Sequence, residues 1–355
     1  MTGGAGYIGA HTCKALREQG YMPIVFDNLS SGYEQAVRWG PLVRGDIRDT
    51  AAVRAAIERY EVTAVIHFAS LIEVGRSMSR PDIFYDTNVV GTLRLLDALQ
   101  DTAVRRLVFS SSAAVYGATA ETPLALLDES LPKDPSSPYG DTKLACERMI
   151  ANYCRAFGVS AVALRYFNAA GADPFGTIGE AHDPETHLIP LAVRAALGTG
   201  KPLTVFGNDF DTPDGSCLRD YVHVNDLAAA HLAALRAERP SGAFEAVNIG
   251  AGAGRSVFEV IDAVATAVGR PVPYSVGDRR AGDPASLVAN PGLAWARLGW
   301  KPLCSGLDRI AQDAAAWHRD PAYGPDKAQL ASSEDTAAAP RRTPTSRVKT
   351  QALSA

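Results

Sequence analysis

Tyr139 and Lys143 stand four residues apart in Pro138-Tyr139-Gly140-Asp141-Thr142-Lys143. On a helix that spacing puts both on one face, so the ammonium can sit beneath the edge of the phenol ring. A free tyrosine titrates near pH ~10, and lowering that by ~3 units takes about 4 kcal/mol of differential stabilisation. A lysine cation, joined by a second positive group in a dry cleft, can supply it. Tyr139 would then be the base that takes or returns an alcohol proton. Ser112, which ends the apolar run Arg106-Leu107-Val108-Phe109 and its serines, would hydrogen-bond the same oxygen. Alone, Y-x-x-x-K is a modest signal, since a surface tyrosine and lysine can be neighbours without chemistry. Its value depends on what precedes it.

What precedes it is a glycine loop. Met1-Thr2-Gly3-Gly4-Ala5-Gly6-Tyr7-Ile8-Gly9 contains G-x-G-x-x-G (Gly4, Gly6, Gly9) and, overlapping, G-x-x-G-x-x-G (Gly3, Gly6, Gly9). Either pattern suits a strand-to-helix turn where missing Cβ atoms let backbone N–H groups approach a pyrophosphate. Asp27 closes the apolar run Tyr21–Phe26, 18 residues past Gly9, close to the ~20 expected of a carboxylate that binds an adenosine ribose. A 2′-phosphate there would meet a like charge, so NAD is favoured over NADP. The positive nicotinamide ring is then the second cation beside Tyr139.

These residues need a scaffold. A helix over 10–19 is followed by the strand at 21–26, a strand at 41–43 leading to Asp46, and a helix over 50–59. Ala64–Ala69 is a nearly continuous apolar run, broken by His67, as expected of a strand buried on both faces. A long helix over 81–100 contains Asn88, the strand at 106–109 runs into Ser112, and the Tyr139 helix continues to Phe157. Such alternation predicts an α/β fold with a doubly wound parallel sheet, a Rossmann sheet. Ligands bind at the carboxyl ends of its strands, where Gly9, Asp27, Asp46, Ala69 and Ser112 all fall.

Composition agrees with an enzyme of this kind. At 46% apolar and 21% charged, the 355-residue chain is that of a globular protein with a sizeable core. A net charge of −4 gives no reason to expect nucleic acid. Cys13, Cys146, Cys154, Cys217 and Cys304 are scattered without metal spacing, and no metal site is read from them. No apolar run is long enough to span a membrane. The expectation is a cytoplasmic protein.

T-G-G-x-G-Y-I-G, the S-S-S-A-x-V-Y-G run from Ser110 to Gly117, and S-P-Y-G-x-T-K resemble the extended branch of the short-chain dehydrogenase/reductase superfamily, its NAD-dependent epimerases and dehydratases. The likeness covers residues 1 to about 324. Dehydratases of that branch carry an Asp-Glu pair after the serine; here the pair is Ala113-Ala114, which cannot move a proton. The resemblance therefore implies C4 epimerisation of UDP-glucose and UDP-galactose through a 4-keto sugar, with NAD bound throughout. It also implies a homodimer. Alternatives are another nucleotide sugar (a UDP-N-acetylhexosamine or UDP-pentose), an ordinary dehydrogenase that releases NADH, or a non-catalytic dinucleotide-binding regulator.

The resemblance further implies a cofactor set of Gly3, Gly6, Tyr7, Ile8, Gly9, Asp27, Asn28, Asp46, Ile47, Phe68, Ala69, Ser70, Asn88, Tyr139, Lys143 and Phe167. Ser112, Asn168, His187, Leu188, Phe206, Arg219, Val257, Arg280 and Asp283 form the implied substrate set. Within it, Arg219 (in R-D-Y-V-H-V-N-D-L) and Arg280 (in R-R-A-G-D) would hold the diphosphate and Asp283 the ribose. Asn248–Gly254 looks like a second phosphate loop but is implied to be a structural turn, while for His223 packing and function are equally open. Ile72 stands where some relatives have a cofactor-side lysine. Leu287 stands where glucose-restricted forms carry a tyrosine, so a wider sugar pocket is expected.

The expected organisation is an NAD-binding domain over 1–168 with segments returning at about 222–250, a smaller substrate lobe over 169–324 closed by Trp295–Pro302, and a disordered tail over 325–355. One oddity remains. The glycine loop should follow a buried central strand, and only Met1 and Thr2 precede it. The expectation is a natural polypeptide that starts upstream.

Overall fold

The computed structural model describes residues 1–117, 126–280 and 283–328. Its first half runs α1 (Tyr7–Glu18), β1 (Val25–Asp27), β2 (Leu42–Arg44), α2 (Thr50–Arg59), β3 (Ala64–His67), α3 (Val74–Ser79), α4 (Pro81–Phe84), α5 (Gly91–Leu99), β4 (Arg106–Ser112), α6 (Pro138–Phe157) and β5 (Ser160–Tyr166). The second half runs β6 (Asn168–Ala170), α7 (Leu188–Leu197), β7 (Leu203–Phe206), β8 (Leu218–His223), α8 (Val224–Arg236), β9 (Phe244–Ile249), β10 (Gly254–Ser256), α9 (Val257–Val268), β11 (Tyr274–Gly277), β12 (Ser286–Leu287), α10 (Gly292–Leu298) and α11 (Leu307–Arg319).

Strands β3, β4, β5 and β9 are parallel neighbours in that order, and β1 pairs parallel with β2. Their interiors are apolar on both faces because helices cover both. Leu107, Phe109, Ala161 and Ala163 pack with α5 and α6, whereas Val108, Val162 and Leu164 pack with Leu16 of α1 and Leu227 of α8. This is the doubly wound Rossmann sheet that the alternation predicts.

Between β1 and β3 the central row is reduced to Thr2, which bridges in parallel to Phe26 on one side and His67 on the other. Its N–H donates to Ile66 O and its carbonyl accepts from Phe68 N, while Phe26 N donates to Met1 O. Beneath Met1 the row stops. Ile24, Phe26, Val53, Ala56, Ile57, Val62, Val65 and Leu95 line a partly open apolar cleft beside Met1 and Thr2.

The second lobe has its own core, in which Ile189 and Val193 of α7, Val260 and Val264 of α9, and Ile310 and Ala314 of α11 interlock. Two short sheets flank it: β10-β8-β12, with β6 beside β8, and the parallel pair β7-β11. Strand β9 pairs with β5 of the main sheet, and helix α8 packs on that sheet.

Three expectations are corrected. The 81–100 helix is not uniform: α4 passes into a π-helical turn over Tyr85–Val90 before α5. The wider turn lets one residue more per turn face inward, and Asn88 is buried there. The Trp295–Pro302 motif closes the dinucleotide domain instead of the smaller lobe. Trp300 packs with Leu16, Val108 and Val162, and its indole N–H donates to Asp226 O at 2.9 Å. The tail boundary also moves: residues 325–328 are helical, and Asp326 pairs with both Arg194 (3.0 Å) and His318 (2.7 Å). The rest of that segment, 329–355, lies outside the described residues.

Candidate active site

Ser112 ends β4, and Tyr139 opens α6, whose N-terminus is set by Ser137 (its hydroxyl accepts from Gly140 N at 3.2 Å) and by Pro138 in the first turn. The Tyr139 phenol lies near the Ser112 hydroxyl, which itself accepts from Ala114 N at 3.1 Å. One turn on, Lys143 is 1% exposed, and its Nζ lies 5.7 Å from the centre of the Tyr139 ring. It donates to Ser110 O at 2.8 Å and to Ser70 Oγ at 2.9 Å. Burial without a full ion pair pulls the Lys143 ammonium down to about 8. Burial pushes the Tyr139 phenol above its ordinary value, and the nearby Ser112 hydroxyl opposes that. With the protein's own groups alone, then, the phenol is held protonated, and a further positive charge is required to make it a base.

Beneath this trio lies a network that the sequence reasoning missed. Glu147, one turn beyond Lys143, accepts two hydrogen bonds from Arg165 (2.8 and 2.6 Å) and one from Ser111 Oγ (2.6 Å). Arg165 also donates to Tyr116 Oη, which donates to Asn248 Oδ1. The network locks α6 to the carboxyl ends of β4, β5 and β9. A glutamate four residues after the lysine was its only signal in the sequence.

The glycine loop has the shape of an anion cradle. A Cβ on Gly3 would lie 2.5 Å from Ala69 N, and one on Gly9 2.3 Å from Gly3 O. Helix α1 begins at Tyr7 with no side-chain cap, which leaves the first-turn N–H groups of Tyr7, Ile8 and Gly9 facing the loop mouth beside Gly6. Asp27, 8% exposed, accepts from Ala5 N and Leu29 N, so it also ties the loop to β1. Asn28 donates to Asp46, whose carboxyl is held down at about 2, chiefly by the Arg48 guanidinium. These features fit a dinucleotide with an unphosphorylated ribose.

Several implied cofactor residues act from behind. Ile47 is buried among core side chains, and Ile8 packs against the sheet. Phe68 stacks on His231, and the Tyr7 hydroxyl donates to Gly171 O at 2.6 Å. Asn88 spends its amide on Leu71 N, Leu71 O and Thr142 Oγ1, so it aligns the loop after β3 with α6. Phe167 packs in one apolar cluster with Ala113, Tyr116, Leu127 and Leu287. Ile72 is exposed.

On the nucleotide side, Arg219 pairs with Asp283 and donates to Pro284 O at 3.0 Å. Arg280 stacks its guanidinium 4.0 Å from the centre of the Phe206 ring. Asn168 donates to Asp220 O, and Val257 opens α9. His187 stands at the N-cap position of α7 just before Leu188, without a side-chain capping bond, and its Nδ1 faces Glu185 and Glu180. The second glycine loop is occupied by the chain itself: Asp220 accepts from Ala251 N, Gly252 N and Ala289 N. That supports the structural reading. His223 also has a packing role: it caps α8 through Asn225 N and faces Asp313 at 3.1 Å.

A Rossmann sheet with an uncapped glycine turn and a Ser-Tyr-Lys trio defines a class of enzymes that oxidise and reduce alcohols with a nicotinamide cofactor. The chain belongs to the NAD-dependent epimerase/dehydratase family, whose model matches residues 1–250. A UDP-glucose 4-epimerase of Rhizobium meliloti is 48% identical over 318 residues, which are 90% of this chain and 96% of that one. The crystal structure of the Brucella ovis UDP-glucose 4-epimerase in complex with NAD superposes with a TM-score of 0.85 at 48% identity, covering 89% of this chain and 96% of the other. The Bifidobacterium longum UDP-glucose 4-epimerase, solved with NAD+ and UDP, matches with a TM-score of 0.85 at 36% identity over 92% and 98%. Among the described residues no helix is long and apolar enough to cross a membrane.

Proposed function

We propose that this chain is a UDP-glucose 4-epimerase that interconverts UDP-glucose and UDP-galactose. The observation that carries this reading is the composition of the site: Ser112, Tyr139 and Lys143 converge, and the two residues after Ser112 are alanines. The site can move one proton at one alcohol and has no second acid–base pair for eliminating water. NAD, held by Gly3, Gly6, Gly9 and Asp27, supplies reversible hydride acceptance at C4.

Tyr139 takes the proton from the sugar O4, and Ser112 donates a hydrogen bond to the same oxygen as charge develops on it. Lys143 stabilises the tyrosinate electrostatically across the ring face, with its own position fixed by Ser110 and Ser70. Inversion requires the 4-keto sugar to turn over while its nucleotide stays put. Arg219, Arg280, Asp283, Asn168, Phe206, Leu188, His187 and Val257 make up the nucleotide grip. The sugar side is walled by Phe167 and Leu287, which allow rotation because they direct no hydrogen bond. Leu287 leaves room for an N-acetyl group, which supports a wider substrate range.

Purified protein given UDP-galactose should form UDP-glucose with no build-up of NADH. NADH rising in step with a keto product, with no UDP-glucose formed, would refute the reading in favour of an ordinary dehydrogenase. We also assign a cytoplasmic homodimer. All five cysteines are free, which suits a reducing compartment, and Val90 and Leu93, three apart on one helix face, are exposed. A monomer by light scattering would overturn the dimer.

A further inference from the structure

The loop between β6 and α7 carries Glu180, His182, Glu185 and His187, an E-x-H-x-x-E-x-H spacing outside the proton-transfer trio. One oxygen or nitrogen from each lies within 4.8 Å of all the others. His182 Nδ1 is 3.0 Å from Glu180 Oε1, and His187 Nδ1 is 3.0 Å from that same oxygen. Glu185 closes the group, with Oε1 2.8 Å from His187 Nδ1 and Oε2 3.7 Å from His182 Nδ1. Zinc bonds of about 2.0–2.2 Å to nitrogen and carboxylate oxygen give tetrahedral edges of about 3.3–3.6 Å. The observed separations bracket that edge.

A second observation points to a ligand. The Glu185 side chain is 1% exposed, yet Oε2 has no hydrogen-bond partner, and it faces the group. Leaving a buried carboxylate oxygen unsatisfied is costly. A cation at the centre would satisfy it and would balance the two carboxylates. Two imidazoles and two carboxylates, with no thiolate, suit zinc and its first-row neighbours. They do not suit calcium or magnesium, which take oxygen ligands.

The surroundings hold the four residues in place. Trp317 Nε1 donates to the Glu180 carbonyl at 2.8 Å, and the Tyr7 ring meets the His182 ring edge-on at 6.2 Å. We propose that Glu180, His182, Glu185 and His187 form a tetrahedral site for one divalent transition ion, best matched by zinc. The ion would clamp the 180–187 loop and the start of α7 and take no part in proton transfer. His187 is shared with the proposed nucleotide grip, so the test is made without nucleotide sugar.

The test uses the full chain, stripped with a chelator and titrated with cobalt(II). Strong visible d–d bands of tetrahedral cobalt should saturate at a single equivalent and be bleached by zinc. Glu185→Gln keeps the shape but should weaken cobalt binding at least about tenfold, and His182→Ala should abolish the bands. Because His182→Ala could unfold the loop, Glu185→Gln with an unchanged circular dichroism spectrum is the deciding variant. A folded protein that shows no bands, or the pale spectrum of octahedral cobalt, or Glu185→Gln binding as the parent does, would overturn the proposal. The four residues would then be an ion-pair network only.

Discussion

The Lys143 ammonium lies 5.7 Å from the centre of the Tyr139 ring and makes its hydrogen bonds to Ser110 and Ser70, not to the phenol oxygen. Lysine and tyrosine are coupled through space, and the oxygen stays available to Ser112 and to substrate. Tyr139→Phe should therefore lower kcat by about 10²–10⁴-fold, the usual contribution of a general base. NAD binding should persist, as read by fluorescence titration. Turnover within tenfold of the parent would remove Tyr139 from the role of base.

Glu147→Ala should be among the most destabilising substitutions near the site. Glu147 and Arg165 have side chains only 4% and 6% exposed, and removing one partner strands the other charge. A loss of about 3–5 kcal/mol in urea unfolding is expected.

Gly9→Ala should weaken the cofactor by at least about tenfold, since the added Cβ would sit 2.3 Å from Gly3 O and push the loop open. Calorimetry with NAD measures this, and unchanged affinity would contradict the cradle.

Acid should destabilise the fold before its surface carboxylates titrate. Burial pulls His67 down to about 3 and His11 and His231 to about 4, so all three are neutral when folded and become protonated below about pH 6.5 when unfolded. The unfolded chain binds more protons, and stability falls as pH drops through that window. Asp220, pushed up to about 6 by burial, holds an extra proton in the folded state and opposes one of the three. The net uptake of two protons gives a slope of about 2.7 kcal/mol per pH unit near pH 5. The slope shrinks toward about pH 6.5 because, despite burial, Glu180 and Glu185 hold His182 up at about 9 and raise His187, so that without an ion both keep their protons in the folded state. Urea midpoints should fall most steeply between about pH 6 and 4.5, and His67→Gln should flatten that fall.

Leu287→Tyr should narrow the sugar pocket. Leu287 packs in the cluster that contains Phe167 and Ala113, so a phenol there would intrude on the sugar side. Turnover of UDP-N-acetylgalactosamine should fall by at least about tenfold, with UDP-galactose changed little. Equal losses on both substrates would detach Leu287 from specificity.

The sequence by itself determined whatever depends on local spacing. Gly3, Gly6 and Gly9 specify the turn, Asp27 ends its strand, and Tyr139 and Lys143 share a helix face because i and i+4 always do. The parallel sheet followed from apolar runs alternating with helices. Tertiary structure decided what depends on approach between distant segments. Asp220 fills the second glycine loop because β8 passes beneath it, and Trp300 turns back to α1 and α8 instead of closing the smaller lobe. Arg165 meets Glu147 because β5 runs beside the Tyr139 helix, and Asn88 faces inward only because of a π-helical turn. Glu180, His182, Glu185 and His187 gave no reading in the sequence as a group; the folded loop, pinned by Trp317, brings their ligand atoms within 4.8 Å. Periodicity and turn chemistry act over a few residues, whereas burial and charge pairing are settled by whichever segments the core brings together.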